Sequence, residues 1–221
     1  MSIVLGALLG YVLGRVVCLA SRHLPLVYQT TRTTKDMPSP WKALDSTSTP
    51  LAVLVQLLMA FWGAYVGWRL GSLAAIFLII VVTAILLAVT VVDFQTRRIP
   101  DVLILTLLVC AVLQVLLLTE PGLLAAGLGL LICGGIFYVI ATLRHGAIGM
   151  GDVKLAAAIG ALLGFPVALE GLFLGIVFGG LTAAVLLLTK RVGRKDPIAY
   201  GPYLALGAWI VLVQVWGLWP F

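Results

Sequence analysis

Eight continuous apolar runs, most of them close to 20 residues long, leave this chain few ways to fold. They lie at roughly 2–21, 51–68, 72–92, 102–119, 122–143, 153–169, 171–189 and 199–219. At 1.5 Å of rise per residue, about 20 apolar residues cross the ~30 Å hydrocarbon core of a bilayer. Inside that core every backbone N–H and C=O must be satisfied by the structure itself, which restricts spanning segments to helices or closed barrels. Barrel strands alternate apolar and polar residues over ~10 positions, and these runs do not alternate. The composition agrees: 62% of the 221 residues are hydrophobic and 10% charged, against about 25% charged in soluble domains. The expected fold is all-α, a polytopic helical membrane protein of about eight transmembrane helices. Met1-Ser2-Ile3-Val4-Leu5 lacks the basic start of a secretory signal, so the first span is expected to be retained.

The loop charges orient the spans. Counted alternately, one side receives Arg22, Arg32, Lys35, Lys42, Arg97, Arg98, Arg144, Lys154, Lys190, Arg191, Arg194 and Lys195, and the other only Arg69, with Glu120 and Glu170. Basic loops mark the cytoplasm, so both termini are expected outside it. The net charge of +6 is accounted for by topology, and nucleic acid is not expected as a partner. Residues 26–49 form the one substantial polar stretch, read as a cytoplasmic loop without a core of its own. The chain is accordingly divided into a first helix with its loop (1–50) and a bundle (51–221). Cys18, Cys110 and Cys133 stand singly in apolar runs and are expected to be small buried hydrophobes. Glycines crowd the fifth run (Gly127, Gly129, Gly134, Gly135) and the seventh (Gly175, Gly179, Gly180), where close helix packing is expected.

Carboxylates at the ends of apolar spans are costly and usually functional. Asp36, Asp45, Glu120, Glu170 and Asp196 fall in loops and read as solvated. Asp93 and Asp152 differ. On this topology Asp93 ends the third span going inward and Asp152 begins the sixth going outward, so both belong at the cytoplasmic boundary. Each also has a plain structural reading: Asp93 as a helix-end partner of Arg97 or Arg98, Asp152 as an anion at a helix N-terminus. The lead-in Gly149-Met150-Gly151 is expected to let the backbone bend and another segment approach closely. Two facing carboxylates share one proton. The ionised member can then take a proton from water while the other protonates a scissile carbonyl. Other proteolytic chemistries lack parts: His23 and His145 make no H-E-x-x-H helix, and no serine lies deep in a span. A proton-coupled transporter using the same carboxylates as a relay is the alternative. It predicts inverted repeats with matching broken helices, whereas the glycine-rich breaks lie in the second half.

Gly149-Met150-Gly151-Asp152-Val153-Lys154-Leu155 resembles the G-x-G-D-x-K-L signature of the prepilin leader peptidases, intramembrane aspartyl proteases of type IV pilus and type II secretion systems. Val92-Asp93 through Ile99-Pro100-Asp101 is similar to that family's first motif, and Tyr200-Gly201-Pro202-Tyr203-Leu204-Ala205-Leu206-Gly207 to its F-G-P-F/Y-L-A-x-G segment. The three occur in the family's order over most of the chain. The resemblance implies that Asp93 and Asp152 are the catalytic pair, with no cofactor or catalytic metal. It implies as substrate the short basic leader of a prepilin or pseudopilin, cut at the cytoplasmic boundary of a bacterial inner membrane. Gly149, Gly151, Lys154, Gly201 and Pro202 would shape the site or bind substrate.

Many relatives of this kind carry two C-x-x-C pairs in the first loop, where they bind zinc, and methylate the new N-terminus with S-adenosylmethionine. Residues 26–49 hold no cysteine, and Val53 stands where the family has a glutamate linked to methylation. The zinc module is therefore expected to be absent and methylation lost or much altered. Two polar residues stay open to two readings, and a third does not. Lys154 either helps hold substrate or keep a carboxylate ionised, or anchors the helix at the boundary. Arg15, inside the first run, either snorkels or pairs with a carboxylate. Asp101, after Pro100, fits a structural role.

Overall fold

A computed structural model describes residues 1–28, 50–143, 148–189 and 199–219, and all regular structure among them is helical. The elements are α1 (Ser2–Tyr28), α2 (Pro50–Arg69), α3 (Leu73–Thr96), α4 (Asp101–Leu118), α5 (Leu123–Leu143), α6 (Met150–Leu163), α7 (Val167–Leu188) and α8 (Gly201–Val215). Six of them, α1 to α5 and α7, are long and apolar enough to cross a membrane. The protein is a polytopic helical membrane protein. Most of the polar loop at 26–49 lies outside the described residues, with Arg32, Lys35, Lys42, Asp36 and Asp45. So do Arg144, His145, Lys190, Arg191, Arg194, Lys195 and Asp196.

The expected runs and the helices coincide within about four residues except at two places, the first being α1, which continues to Tyr28, beyond the expected end at 21 and into the stretch read as a loop. At the second, the run expected at 153–169 stops at Leu163, and α7 begins at Val167. Gly164 adopts φ +72°, a conformation that strains any residue with a side chain, and Pro166 caps α7. An apolar turn therefore interrupts an apolar run, and Glu170, expected in a loop, stands in the first turn of α7. The consequence is a short helix. With 14 residues, α6 is about 21 Å long, less than a bilayer core.

Two compact units emerge, Met1–Thr96 and Arg97–Phe221. In the first, α1, α2 and α3 pack against one another. Lipid tails are as apolar as leucine, so helices associate in a membrane by close packing rather than by escape from water. Gly6 and Gly10 on α1 bring its backbone onto that of α2 at Gly63 and Met59, and Gly67 lies against Ser2. Trp62 Nε1 donates to Thr83 Oγ1 at 3.2 Å, tying α2 to α3. Of the six long helices α3 is the most buried.

In the second unit α6 packs against α4, α5, α7 and α8. Its sequence explains how four helices reach it: Ala156, Ala157, Ala158, Gly160 and Ala161 keep its surface thin. The backbones of α5 and α6 touch where Gly129 meets Gly160, and Gly134 packs on Ala157. Gly127 and Gly135, expected at the same seam, face open space, as does Gly180. Gly175 instead admits Leu204 of α8, and Gly179 the ring of Tyr200. Gln114, buried in α4, donates from Nε2 to the Leu162 carbonyl at 3.2 Å and so occupies a carbonyl at the C-terminal end of α6. The three cysteines are buried, as expected.

Candidate active site

The first turn of α6 is built around Asp152. Gly149 is the N-cap, in extended conformation (φ −70°, ψ 147°), and its carbonyl accepts from the Asp152 and Val153 N–H groups at 3.0 and 3.3 Å. Asp152, third in the helix, turns its carboxylate back to accept the Gly149 N–H. This is the carboxylate half of a capping box, glycine having no side chain to make the reciprocal bond. The plain structural reading of Asp152 is therefore realised: it caps the helix that carries it. Capping does not use the carboxylate up, since it has about four acceptor sites.

Asp152 is half-buried and lies ahead of the 153–169 run, at the end of the short helix rather than within its apolar length. Burial raises its carboxyl to about 6, the Gly149 hydrogen bond pulling the other way. A carboxyl with such a value exchanges its proton readily near neutral pH, the property a general acid or base needs.

The change of backbone direction lies at Gly149, the extended N-cap, while Gly151 is helical. Neither Gly149 nor Gly151 has positive φ, so neither position demands glycine for its backbone angle. Gly151 is already helical, and its bare Cα faces Ile99: a Cβ there would lie 3.3 Å from that of Ile99. A Cβ on Gly149 would lie 3.3 Å from Asp152 Oδ2. Close approach, the other half of the expectation, is what the glycines provide. They hold space for the carboxylate on one side and for the entry to α4 on the other.

Lys154 does not approach Asp152 as its partner. Its Nζ forms an ion pair with Asp101 Oδ1 at 2.7 Å, with both side chains largely exposed. Asp101 opens α4 directly after its N-cap, Pro100. The Tyr200-Gly201-Pro202-Tyr203 segment starts α8, with Tyr200 as N-cap and Gly201 and Pro202 buried in the first turn. The Tyr200 hydroxyl donates to the Ile176 carbonyl at 3.3 Å, and its ring fills the space left by Gly179. The unit Arg97–Phe221 thus gathers Asp152, Gly149, Gly151, Lys154 and Tyr200 with Gly201-Pro202. The Lys154–Asp101 pairing and the Tyr200 hydroxyl were not legible beforehand. The only signal for the second is that tyrosine stands where the motif has phenylalanine.

Asp93 belongs to the unit Met1–Thr96. It stands in the last turn of α3 and is buried, with 4% exposure. It is the only Asp, Glu, Lys or Arg among the buried residues of the described structure, on the most buried of the long helices. Arg15 is exposed on α1.

Residues 80–184, a stretch containing both Asp93 and Asp152, match the type IV leader peptidase family. Among curated proteins, the chain is 31% identical over 166 residues to a prepilin leader peptidase/N-methyltransferase of Bacillus subtilis, covering 73% of this chain and 64% of that protein. It is 30% identical over 170 residues to the protein of the same name in Pseudomonas aeruginosa (74% and 58%). With that of Aeromonas salmonicida the identity is 34% over 175 residues (74% and 57%). The chain thus matches about three-fifths of the length of these relatives. No solved structure matches it.

Proposed function

Because the chain belongs, through residues 80–184, to the type IV leader peptidase family, we propose that it is an intramembrane aspartyl endopeptidase. It removes the short basic leader of type IV prepilins or type II secretion pseudopilins at the cytoplasmic boundary of a bacterial inner membrane. The observation that carries this reading is the pair of costly carboxylates inside the family match: Asp93 buried at the end of α3, Asp152 half-buried at the start of α6. In the proposed reaction the two share one proton. The ionised member removes a proton from water, whose oxygen adds to the scissile carbonyl as the protonated member gives that carbonyl oxygen its proton. Collapse of the tetrahedral intermediate breaks the C–N bond, and the amine leaves with a proton returned from the pair. The macroscopic titration belongs to the pair and not to either aspartate alone.

The same reading places both termini outside the cytoplasm, on the strength of the twelve basic residues assigned to one side. A basic leader would then meet the aspartates without crossing the membrane. Its substrates are prepilin-like proteins held in the bilayer by their own hydrophobic helix. Loss of N-methyltransferase activity is part of the proposal, although the relatives' names include it. It rests on the cysteine-free 26–49 stretch and on Val53 in place of glutamate.

Co-expression with a prepilin tests both parts. Wild-type protein is expected to shorten the prepilin by its leader, with no added methyl group in the product mass. Asp93→Asn is expected to leave the precursor intact. Leader removal that survives both Asp93→Asn and Asp152→Asn would refute the aspartyl mechanism, and a product heavier by one methyl group would refute the loss of methylation.

A further inference from the structure

We propose that Asp101 is a positioning residue for Asp152, acting through Lys154; this rests on the peptidase reading above. The argument starts from what braces the first turn of α6. Asp152 is flanked in the helix by Gly151 and, two residues on, by Lys154, and both are engaged by one short segment, Ile99–Pro100–Asp101. Gly151 lies bare against the Ile99 side chain, with room for no more than a contact at 3.3 Å. Lys154 Nζ sits 2.7 Å from Asp101 Oδ1. Ile99 and Pro100 are themselves buried, so the segment is a fixed surface. Pro100 restricts its backbone further, and the Leu103 N–H bonded to the Pro100 carbonyl at 3.1 Å ties it to α4. At the other end of α6, Gln114 of the same helix α4 holds the Leu162 carbonyl. Helix α4 thus grips α6 at both ends, and its N-terminal grip straddles the proposed catalytic carboxylate.

An ion pair this exposed contributes little to stability. Its use is geometric. A displacement of an ångström at reacting atoms can cost about a hundredfold in rate, and Lys154 is half a turn from Asp152. The pair also accounts for the direction of the lysine: Asp101 draws the ammonium toward α4.

The test uses the full-length protein in detergent or vesicles with a purified prepilin, comparing wild type, Asp101→Asn, Asp101→Glu, Lys154→Met and Asp101→Asn/Lys154→Met. Asp101→Asn and Lys154→Met are each expected to lower kcat about tenfold with KM within about twofold. The double variant should lose no more than either single, because all three break one link. Asp101→Glu, which keeps the charge, should recover most of the rate. A second readout is independent of turnover: site-resolved carbodiimide labelling of Asp152 should rise about threefold in both single variants. Wild-type kcat in Asp101→Asn, a multiplicative loss in the double variant, or unchanged labelling of Asp152 would each overturn the proposal. Should the wild type cleave no prepilin, the peptidase reading fails, and the labelling still decides whether Asp101 positions Asp152.

Discussion

Asp152→Asn is expected to cut leader cleavage by about a thousandfold or more while leaving the protein folded and slightly more stable at neutral pH. The two halves of this expectation have separate causes. Asparagine keeps a side-chain oxygen that can accept the Gly149 N–H, so the cap at the start of α6 survives. It cannot gain or release a proton, so acid–base chemistry, worth about 10²–10⁴-fold in rate, is lost together with the electrostatics of a shared proton. The stability follows from linkage. Burial raises the Asp152 carboxyl to about 6 from an ordinary value of 3.8, so between those values the folded protein holds a proton that the unfolded chain has released. Folded stability then falls as pH rises from about 4 to about 6 and stays at its lower level above that. Asp152→Asn removes this slope. The expected signature is a wild-type Tm that declines from pH 4 to pH 6.5 more steeply than the variant's, with the variant at or above wild type at pH 7.5. A functional carboxylate that costs stability is the usual trade at an active site. If Asp152→Asn instead cleaves within tenfold of wild type, capping is the whole role of Asp152.

The contrast between Asp152 and Lys154 shows what a sequence of this kind reveals. A carboxylate beside an apolar run is legible because the bilayer makes it expensive wherever it is placed. Asp93 and Asp152 stand out by cost alone. Lys154 is one lysine among several at a polar boundary, and its partner lies 53 residues away in α4. No local spacing connects them. Helix existence was legible for the same reason as the carboxylates, since lipid leaves the backbone no alternative to internal hydrogen bonding. The end of α6 was not. Turns normally betray themselves by polarity, but Gly164-Phe165-Pro166 turns within an apolar run, and only the glycine and proline mark it. Glycine content was a partial guide. It signalled close packing in α5 and α7, yet Gly127 and Gly135 meet nothing, and the Gly6–Gly63 contact between α1 and α2 went unread. A glycine shows that a backbone can be approached; which helix approaches it is decided by tertiary packing.

Gly160→Leu is expected to prevent accumulation of folded protein, and Gly160→Ala to lower its thermal stability and its activity together. A Cβ at Gly160 would collide with the Gly129 carbonyl, and one at Gly129 with the Gly160 carbonyl. The colliding atoms are backbone on both sides, so no rotamer change relieves the overlap and the two helices must move apart. Overpacking of this kind costs about 1–3 kcal/mol for a small addition. Helix α6 also packs on α4, α7 and α8, so displacing it from α5 disturbs the unit as a whole. The controls lie in α5, the helix that Gly160 touches: Gly127→Ala and Gly135→Ala add a methyl where no atom lies within 4 Å. Since alanine is the better helix former by about 1 kcal/mol in water, these two should be neutral or mildly stabilising. Thermal unfolding in detergent and the monodisperse fraction distinguish the cases, and equal Tm values for Gly160→Ala and Gly127→Ala would contradict the backbone contact. Activity provides the link to function. The helix that Gly160 seats is the one that carries Asp152, so the Gly160→Ala protein that remains folded should still cleave more slowly than Gly127→Ala.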